Sequence, residues 1–276
     1  MQVPRLYKNL QKYVRVVLLE ASDKVLMAFD TDLQQAALNK LRSGDQGIAV
    51  DVRLSAGVQE VTEDEILLSD GTTIKHALAL WAAGIGTLPF VQSTAKSIPE
   101  QEEHADQARG RLAVDSWLRV VGAPSIFAFG DCAHVVDSPY PATAQVASQA
   151  GTYLGRLFAD GYEFEVEGAP KLREGAPGEA TLRYKQSTMD KEGTGRAPPF
   201  SFLNLGILAY VGKSEALVQI AVGGEKGDKK VKGAGEAGFA LWRSVYLSKQ
   251  YGLRNRILVA VDWFKARAFG RDLSRL

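Results

Sequence analysis

One cysteine, Cys132, in 276 residues excludes an internal disulfide framework and fits a reducing compartment. Histidine is nearly as scarce: three scattered residues and that one thiol form no visible metal-ligand cluster. Charge of one sign is also missing. Lys and Arg number 33 against 32 Asp and Glu, so a formal net charge of +1 gives no global field to recruit a nucleic acid or other polyanion. Long hydrophobic runs are absent as well; Ile257–Val261 falls far below the roughly 20 residues of a spanning helix. The first residues are polar and pass directly into a strand-like run, which argues against a secretory signal. The chain is otherwise of ordinary globular composition, 46% hydrophobic and 24% charged, and long enough for one large domain or two.

Local pattern gives an α/β order. Val14–Leu19 (VRVVLL) is β-branched and ends in Glu20, as suits a parallel strand buried on both faces. Asp30-Thr31-Asp32 offers an N-cap for a helix through Leu41, and Gly47–Val52 reads as the next strand. Val58–Val61, Ile66–Leu68 and Thr72–Ile74 form a meander around Asp70-Gly71, and Ala77–Ala82 (ALALWA) reads as a further buried strand. From Pro89 to Arg109 the chain is polar and helix-prone. Leu112–Val121 suits a hairpin, Ser125–Phe129 a buried strand and Thr143–Phe158 a helix. Glu163–Pro199 is rich in Gly, Pro and charge and reads as a solvated insertion or surface loop. Two helices, Ala237–Tyr251 and Leu253–Phe269, close the chain. Strand, helix, strand, meander, strand is the second half of a nucleotide-binding domain.

Four places carry residues suited to chemistry. Glu20, at a parallel strand's C-terminal end, can accept from an adenosine ribose and would repel a 2′-phosphate; a solvated strand end has the same sequence. Ala83-Gly84, in WAAGIGT, lets a flat ring approach the backbone, or makes a plain tight turn. Gly130-Asp131 adds a carboxylate able to hold a polyol hydroxyl, or a loop cap. Ala144, Gln145 and Gln149 open a helix, and the two glutamines, four apart, share one face. Gly233-Ala234-Gly235-Glu236-Ala237-Gly238 matches the dinucleotide glycine pattern. The Gly- and Lys-rich segment before it and the lack of a following βαβ unit argue against a cofactor site there. Near the end, Trp242, Tyr246, Tyr251, Trp263, Phe264 and Phe269 interleave with Arg243, Lys249, Arg254, Arg256, Lys265, Arg267, Arg271 and Arg275. That pattern suits helices lying in a membrane headgroup plane, or helices docked on the body with snorkelling basic chains.

Taken in order, VVLLEAS, LWAAGIGTLPFV, LAVDSWLRV with IFAFGDCA, PATAQVASQAGTYLG, LGILAYVGKSEAL, LWRSVYLSKQYGLRNR and DWFKARAFGRDLSR resemble the type II, non-electrogenic NADH:quinone oxidoreductases, from about Val14 to the end. The resemblance implies an α/β flavoprotein with two Rossmann-type domains, for FAD and NADH, and C-terminal amphipathic helices on a membrane. It implies that Glu20 meets the NADH ribose and Ala83-Gly84 the nicotinamide. Gly130 and Asp131 then hold the flavin's ribityl and phosphate region, and Ala144, Gln145 and Gln149 line the meeting of quinone and isoalloxazine. Leu208, Ala209 and Tyr210 form part of a quinone tunnel, and Trp242, Arg243, Tyr246, Trp263, Phe264, Arg267 and Phe269 anchor the membrane side. Hydride passes from NADH to FAD, then two electrons to quinone, with no protons pumped. A homodimer through the C-terminal region and a peripheral place on the mitochondrial inner membrane are further implications.

This sequence departs from that pattern in one respect: both upstream glycine-rich phosphate-binding turns are absent. The expected organisation is therefore the second half of an NAD-binding domain at 1–90, the C-terminal part of an FAD-binding domain at 91–162, the insertion at 163–200 and the anchoring region at 201–276. The expectation is a truncated gene product with raw sheet edges, poor FAD binding and little activity. Its rival is a non-catalytic membrane- or complex-associated subunit that has lost the cofactor.

Overall fold

The β-branched run after Val14 forms strand β1 (Val16–Leu19), which pairs parallel with β2 (Val50–Arg53) in a computed structural model of the chain. The structure describes residues 9, 11–44, 48–84, 86–166, 168–176, 194–204, 206–212, 215–222, 229–233, 235–250 and 252–270. Helix α1 (Thr31–Arg42) crosses between the two strands, as right-handed parallel connections require, and buries Leu33, Gln34 and Ala37. An antiparallel meander follows, β3 (Val58–Val61), β4 (Glu65–Leu68) and β5 (Thr73–Lys75). Ala77–Ala82 forms no strand, against expectation. Leu78 and Leu80 are 87% and 89% exposed. A parallel strand needs a neighbouring ladder and a covering helix, and β1 and β2 are the whole of their sheet among the described residues. Hydrophobicity alone does not make a strand.

The chain divides into two units, Met1–Leu80 with Leu205–Leu276, and Trp81–Asn204. The second unit starts with α2 (Pro89–Ser97), a 3-10 turn and α3 (Ala105–Ala108). Its four-stranded sheet holds β6 (Leu112–Val114), β7 (Arg119–Val120), β8 (Ala123–Phe127) and β9 (Ala133–Val135) in the order β8-β7-β6-β9. Strand β8, expected to be buried, lies at the edge with Pro124, Ser125 and Ile126 exposed. An edge strand has a neighbour on one side only and tolerates proline there.

Helix α4 (Ala144–Asp160) is capped by Thr143, whose Oγ1 accepts the Val146 N–H, and ends at Gly161 in the left-handed region. Val146, Ala150, Tyr153, Leu154 and Leu157 recur with helical period and bury against Leu112, Val114, Leu118 and Val120. Each fully buried large aliphatic chain contributes about 1.5–3 kcal/mol before chain entropy is charged against it. The stretch after α4 is not the plain solvated loop expected. Strands β10 (Tyr162–Glu163) and β11 (Lys171–Leu172) pair, and Phe164, Ala176, Ala197 and Phe200 are buried. The Phe164 ring packs edge-on to Phe127, the Trp117 indole donates to Ala197 O and the Tyr153 hydroxyl to Pro198 O. A Gly-, Pro- and charge-rich average conceals a few aromatic anchors. Residues 177–193 of that insertion lie outside the described residues.

His134 on β9 is buried in this unit. Arg111 Nη2 donates to its Nδ1 at 3.3 Å, so Nε2 carries the ring proton, buried and without a partner among the described residues. Burial, then the charges of Arg111 and His104, hold its pKa below the usual 6.5. The unfolded chain therefore gains a proton near pH 6.5 that the folded chain refuses, so stability falls as pH drops through that value towards the lowered folded pKa. Denaturant titrations between about pH 7 and pH 5 should show this loss, and His134→Leu should flatten it. An unchanged slope in the variant would assign the loss to other groups.

The chain returns to the first unit through β12 (Ile207–Gly212), β13 (Glu215–Val222) and β14 (Lys229–Gly233), an antiparallel sheet, followed by α5 (Glu236–Ser248) and α6 (Gly252–Ala268). Phe29, Leu33 and Ala37 form one buried cluster with Leu217. The Asp30 N–H donates to Gln219 Oε1 at 2.9 Å, and Lys232 Nζ lies 2.9 Å from Asp30 and 2.8 Å from Asp32. Asp30 occupies the N-cap position of α1, but its side chain makes no capping hydrogen bond. Early and late segments of the chain thus share one core.

Candidate functional site

Strand β8 delivers Phe129 and Gly130 to a 3-10 turn, Gly130–Cys132, which rests on the first turns of α4. Gly130 has φ +74, and a Cβ there would lie 3.4 Å from the Ala147 Cβ. Only glycine takes this backbone without strain, which keeps the turn close to the helix. Asp131 and Ala144 are exposed beside it, and Gln145 is half-buried. The α4 N-terminus directs its positive dipole end to this surface. Gln149 is occupied: its Nε2 donates to Leu203 O and its Oε1 accepts from Leu203 N, both at 2.9 Å. One amide hydrogen and one lone pair remain for a ligand.

A cleft lined by Leu118, Phe129, Gly130, Val135, Tyr140 and Phe200, among others, opens here, with about 20 Å³ enclosed. That volume is about one water molecule. That space is too small for a flat ring system, so a ligand of that size would have to lie against this wall and not inside the unit. Gly130, Asp131, Ala144, Gln145 and Gln149 all belong to the Trp81–Asn204 unit.

Ala83 and Gly84 lie in the same unit and are exposed; Gly84 has φ +100, nothing lies within 4 Å of where its Cβ would be, and its carbonyl accepts from the Trp81 indole at 3.3 Å. A flat ring can reach this backbone. Glu20 belongs to the other unit, where one carboxylate oxygen accepts the Ser22 N–H at 2.8 Å. Leu208 and Ala209 on β12 are half-buried and Tyr210 is exposed. The Tyr210 ring stacks on Trp242 at 5.6 Å and meets Phe239 at 5.4 Å, and Trp242 continues to Tyr246 at 4.6 Å. Phe239 was missed by sequence reasoning, although its spacing of three and seven from Trp242 and Tyr246 is the signal of a helical aromatic stripe. The Arg243 guanidinium lies over Phe239 at 5.3 Å and over Trp263 at 4.3 Å, and so joins α5 to α6. Phe264 and Phe269 are exposed, as is Arg267. Tyr251, Arg271 and Arg275 lie outside the described residues.

The glycine-patterned segment before α5 does follow a strand, β14, which was not expected. That strand runs antiparallel to β13, however, and Gly238 sits against the backbone of Ala216, where a Cβ would come within 2.5 Å of the carbonyl oxygen. Close packing accounts for this glycine.

Two family models match in sequence order. One, described as pyridine nucleotide-disulphide oxidoreductase, covers residues 5–151, and the other, the NDH2 C-terminal domain, covers residues 204–272. A probable NADH dehydrogenase of Dictyostelium discoideum is 34% identical over 261 residues, 95% of this chain and 47% of that protein. The mitochondrial internal alternative NAD(P)H-ubiquinone oxidoreductase A1 of Solanum tuberosum is 34% identical over 279 residues, 98% of this chain and 48% of its own length. The solved structure of NDH2 from Plasmodium falciparum in complex with NADH superposes with a TM-score of 0.71 at 18% identity, over 98% of this chain and 62% of that one. At that identity the likeness shows the fold, and it agrees with the expected α/β Rossmann-type flavoprotein class. The chain spans about half the length of the curated relatives it matches. With both models matched along one chain, the protein belongs to the pyridine nucleotide-disulphide oxidoreductase family, within its type II NADH:quinone oxidoreductase (NDH2) branch.

Proposed function

We propose that this chain serves NADH:quinone oxidoreduction without proton pumping, on the surface of the mitochondrial inner membrane and as a homodimer through its C-terminal region. The observation that carries the reading is the Gly130–Asp131 turn seated on the N-terminus of α4, with Gly130 in a positive-φ conformation that favours glycine. FAD, when bound, supplies the chemistry, accepting a hydride from NADH and passing two electrons to quinone. The chain's residues bind and orient. Asp131 accepts polyol hydroxyls, and the α4 N-terminus stabilises negative charge on the ring. Ala144 and Gln145 offer a small, neutral surface for quinone. Gln149 contributes its remaining N–H while fixing Leu203. Ala83-Gly84 is open to a flat ring; in the other unit, Glu20 is suited to accept from a ribose and disfavours a 2′-phosphate.

The test is FAD titration of the purified chain, followed by NADH and then a soluble quinone. The chain should take up FAD. Gly130→Val, which forces a β-branched residue to positive φ, should weaken binding about tenfold or more. Equal affinity in the variant would remove Gly130 from the site. A chain that takes up no FAD at any concentration would favour a cofactor-free, membrane- or complex-associated subunit.

A further inference from the structure

One of the chain's three histidines stands directly behind the Gly130–Cys132 turn. His134 lies on β9 and is 7% exposed. Its partner is Arg111, half-buried at the entry to β6, whose guanidinium clasps three groups at once. Nε donates to Ala108 O at 3.0 Å, Nη1 to Ala133 O at 3.5 Å and Nη2 to His134 Nδ1 at 3.3 Å. Ala133 is where the turn ends: its N–H donates to Gly130 O, and it pairs with Leu112 in the parallel ladder of β6 and β9. The clasp therefore fastens the exit of the turn to the end of α3. It holds only while Nδ1 keeps its lone pair. Nε2 already carries a proton, buried and without a partner among the described residues, so a second proton can go only to Nδ1. That proton removes the acceptor of Arg111 and sets two cations 3.3 Å apart. Among the described residues no carboxylate pairs with the ring to offset this. His104, at the end of the 3-10 turn Pro99–His104, acts on the ring as a further cation, and Glu103 pairs with His104 at 3.0 Å. Asp106 on α3 is exposed, and Asp137, past β9, is exposed and accepts from Ser116 Oγ at 3.0 Å.

We propose that His134 and Arg111 form an acid-released latch on the Gly130–Cys132 turn: protonation of His134 at Nδ1 drives the guanidinium off Ala133 O, and the turn opens. Arg111 is the member that moves, because it is half-buried on a long side chain, whereas the ring is enclosed. Asp131 sits inside the turn, so its hold on a polyol weakens when the turn opens. That consequence rests on the flavin reading above; the latch itself does not. The working range lies below pH 6.5, since burial, then the charges of Arg111 and His104, hold the folded pKa under that value. Above it the latch stays shut, and it opens as pH falls towards the folded pKa. Acid then releases the turn while the rest of the unit stays folded.

Cys132 reports the state of the turn. It is the chain's single thiol, and its Sγ–H donates to Phe129 O at 3.4 Å. The test is its labelling rate with an aromatic disulfide reagent, scaled at each pH to the same chain unfolded in guanidinium, which cancels the thiol's own response to pH. From about pH 7.5 to about pH 5.5 the scaled rate should rise about tenfold, the gain in open fraction when only the open state takes up the histidine proton. His134→Asn, which keeps an acceptor near the Nδ1 position and carries no charge, should label slowly at both pH values. Arg111→Met, with no clasp to release, should label fast at both. A flat rate in the parent, or a rise that survives in His134→Asn, would overturn the latch. So would a rise that follows the loss of Trp117 fluorescence, which is unfolding of the whole unit. FAD titrated at the same two pH values should bind up to about tenfold more weakly in acid. No FAD binding at either pH would overturn the flavin reading, and the thiol rates would still decide the latch.

Discussion

Arg119→Ala should melt the Trp81–Asn204 unit near room temperature. Arg119 is a buried cation, 6% exposed, and its guanidinium ties the segment Phe164–Gly168 to Asp115 through four acceptors. Nη1 donates to Phe164 O at 2.7 Å and Val166 O at 3.1 Å, Nη2 to Gly168 O at 2.8 Å, and Nε to Asp115 Oδ2 at 2.7 Å. The Trp117 ring lies 5.4 Å from the guanidinium carbon. Truncation strands three carbonyls and a half-buried carboxylate. Breaking a buried pair from one side costs about 3–5 kcal/mol, a large share of the roughly 5–15 kcal/mol that holds a domain together. Arg119→Lys should rescue little, because one ammonium cannot reproduce a planar fork aimed at several acceptors. Trp117, which donates to Ala197 O, reports the transition by fluorescence in a denaturant titration. A loss below about 1 kcal/mol would mean that water already serves the three carbonyls.

Gly238→Val should separate α5 from β13. The added Cβ would come within 2.5 Å of Ala216 O and 3.3 Å of Val218 Cγ2, both on a strand whose residues Ala216, Leu217 and Val218 are buried. A backbone atom in a paired strand cannot move aside cheaply, so the cost should reach about 1–3 kcal/mol or more. The control is Gly155→Ala in α4, where nothing lies within 4 Å of the added methyl group; relief from glycine's entropy should leave it neutral or stabilised by about 0.5–1 kcal/mol. Thermal unfolding separates the two. If Gly238→Val melts with the parent, the close approach is not part of the folded core, and the packing account of this glycine fails.

Most elements with a strong local signal were legible. Thr143 before an apolar-periodic run gives α4, Asp70-Gly71 gives the meander, and the two C-terminal helices begin and end within about three residues of the expected places. The turn at Gly130 was legible because a glycine follows a strand and precedes a helix, and the structure brings that turn and α4 together. Elements that depend on a neighbour were not. Ala77–Ala82 and Ser125–Phe129 read alike as buried strands, yet the first is exposed coil and the second contributes an exposed edge. The Gln149 clasp on Leu203, at a separation of 54 residues, leaves no trace in local pattern.

The sequence by itself determined the fold class and the family, since these rest on short-range order: β-branched runs, caps and glycines at turns. It also determined that the last two helices interleave aromatic and basic residues. Tertiary structure decided which of these surfaces find a partner. It joined the first and last segments of the chain through Phe29, Leu33, Ala37 and Leu217, closed the insertion's flanks over Phe164 and Phe200, and left Leu78, Leu80, Leu253 and Phe264 open. Burial depends on what arrives from elsewhere in the chain, and periodicity records only which face is ready to receive it.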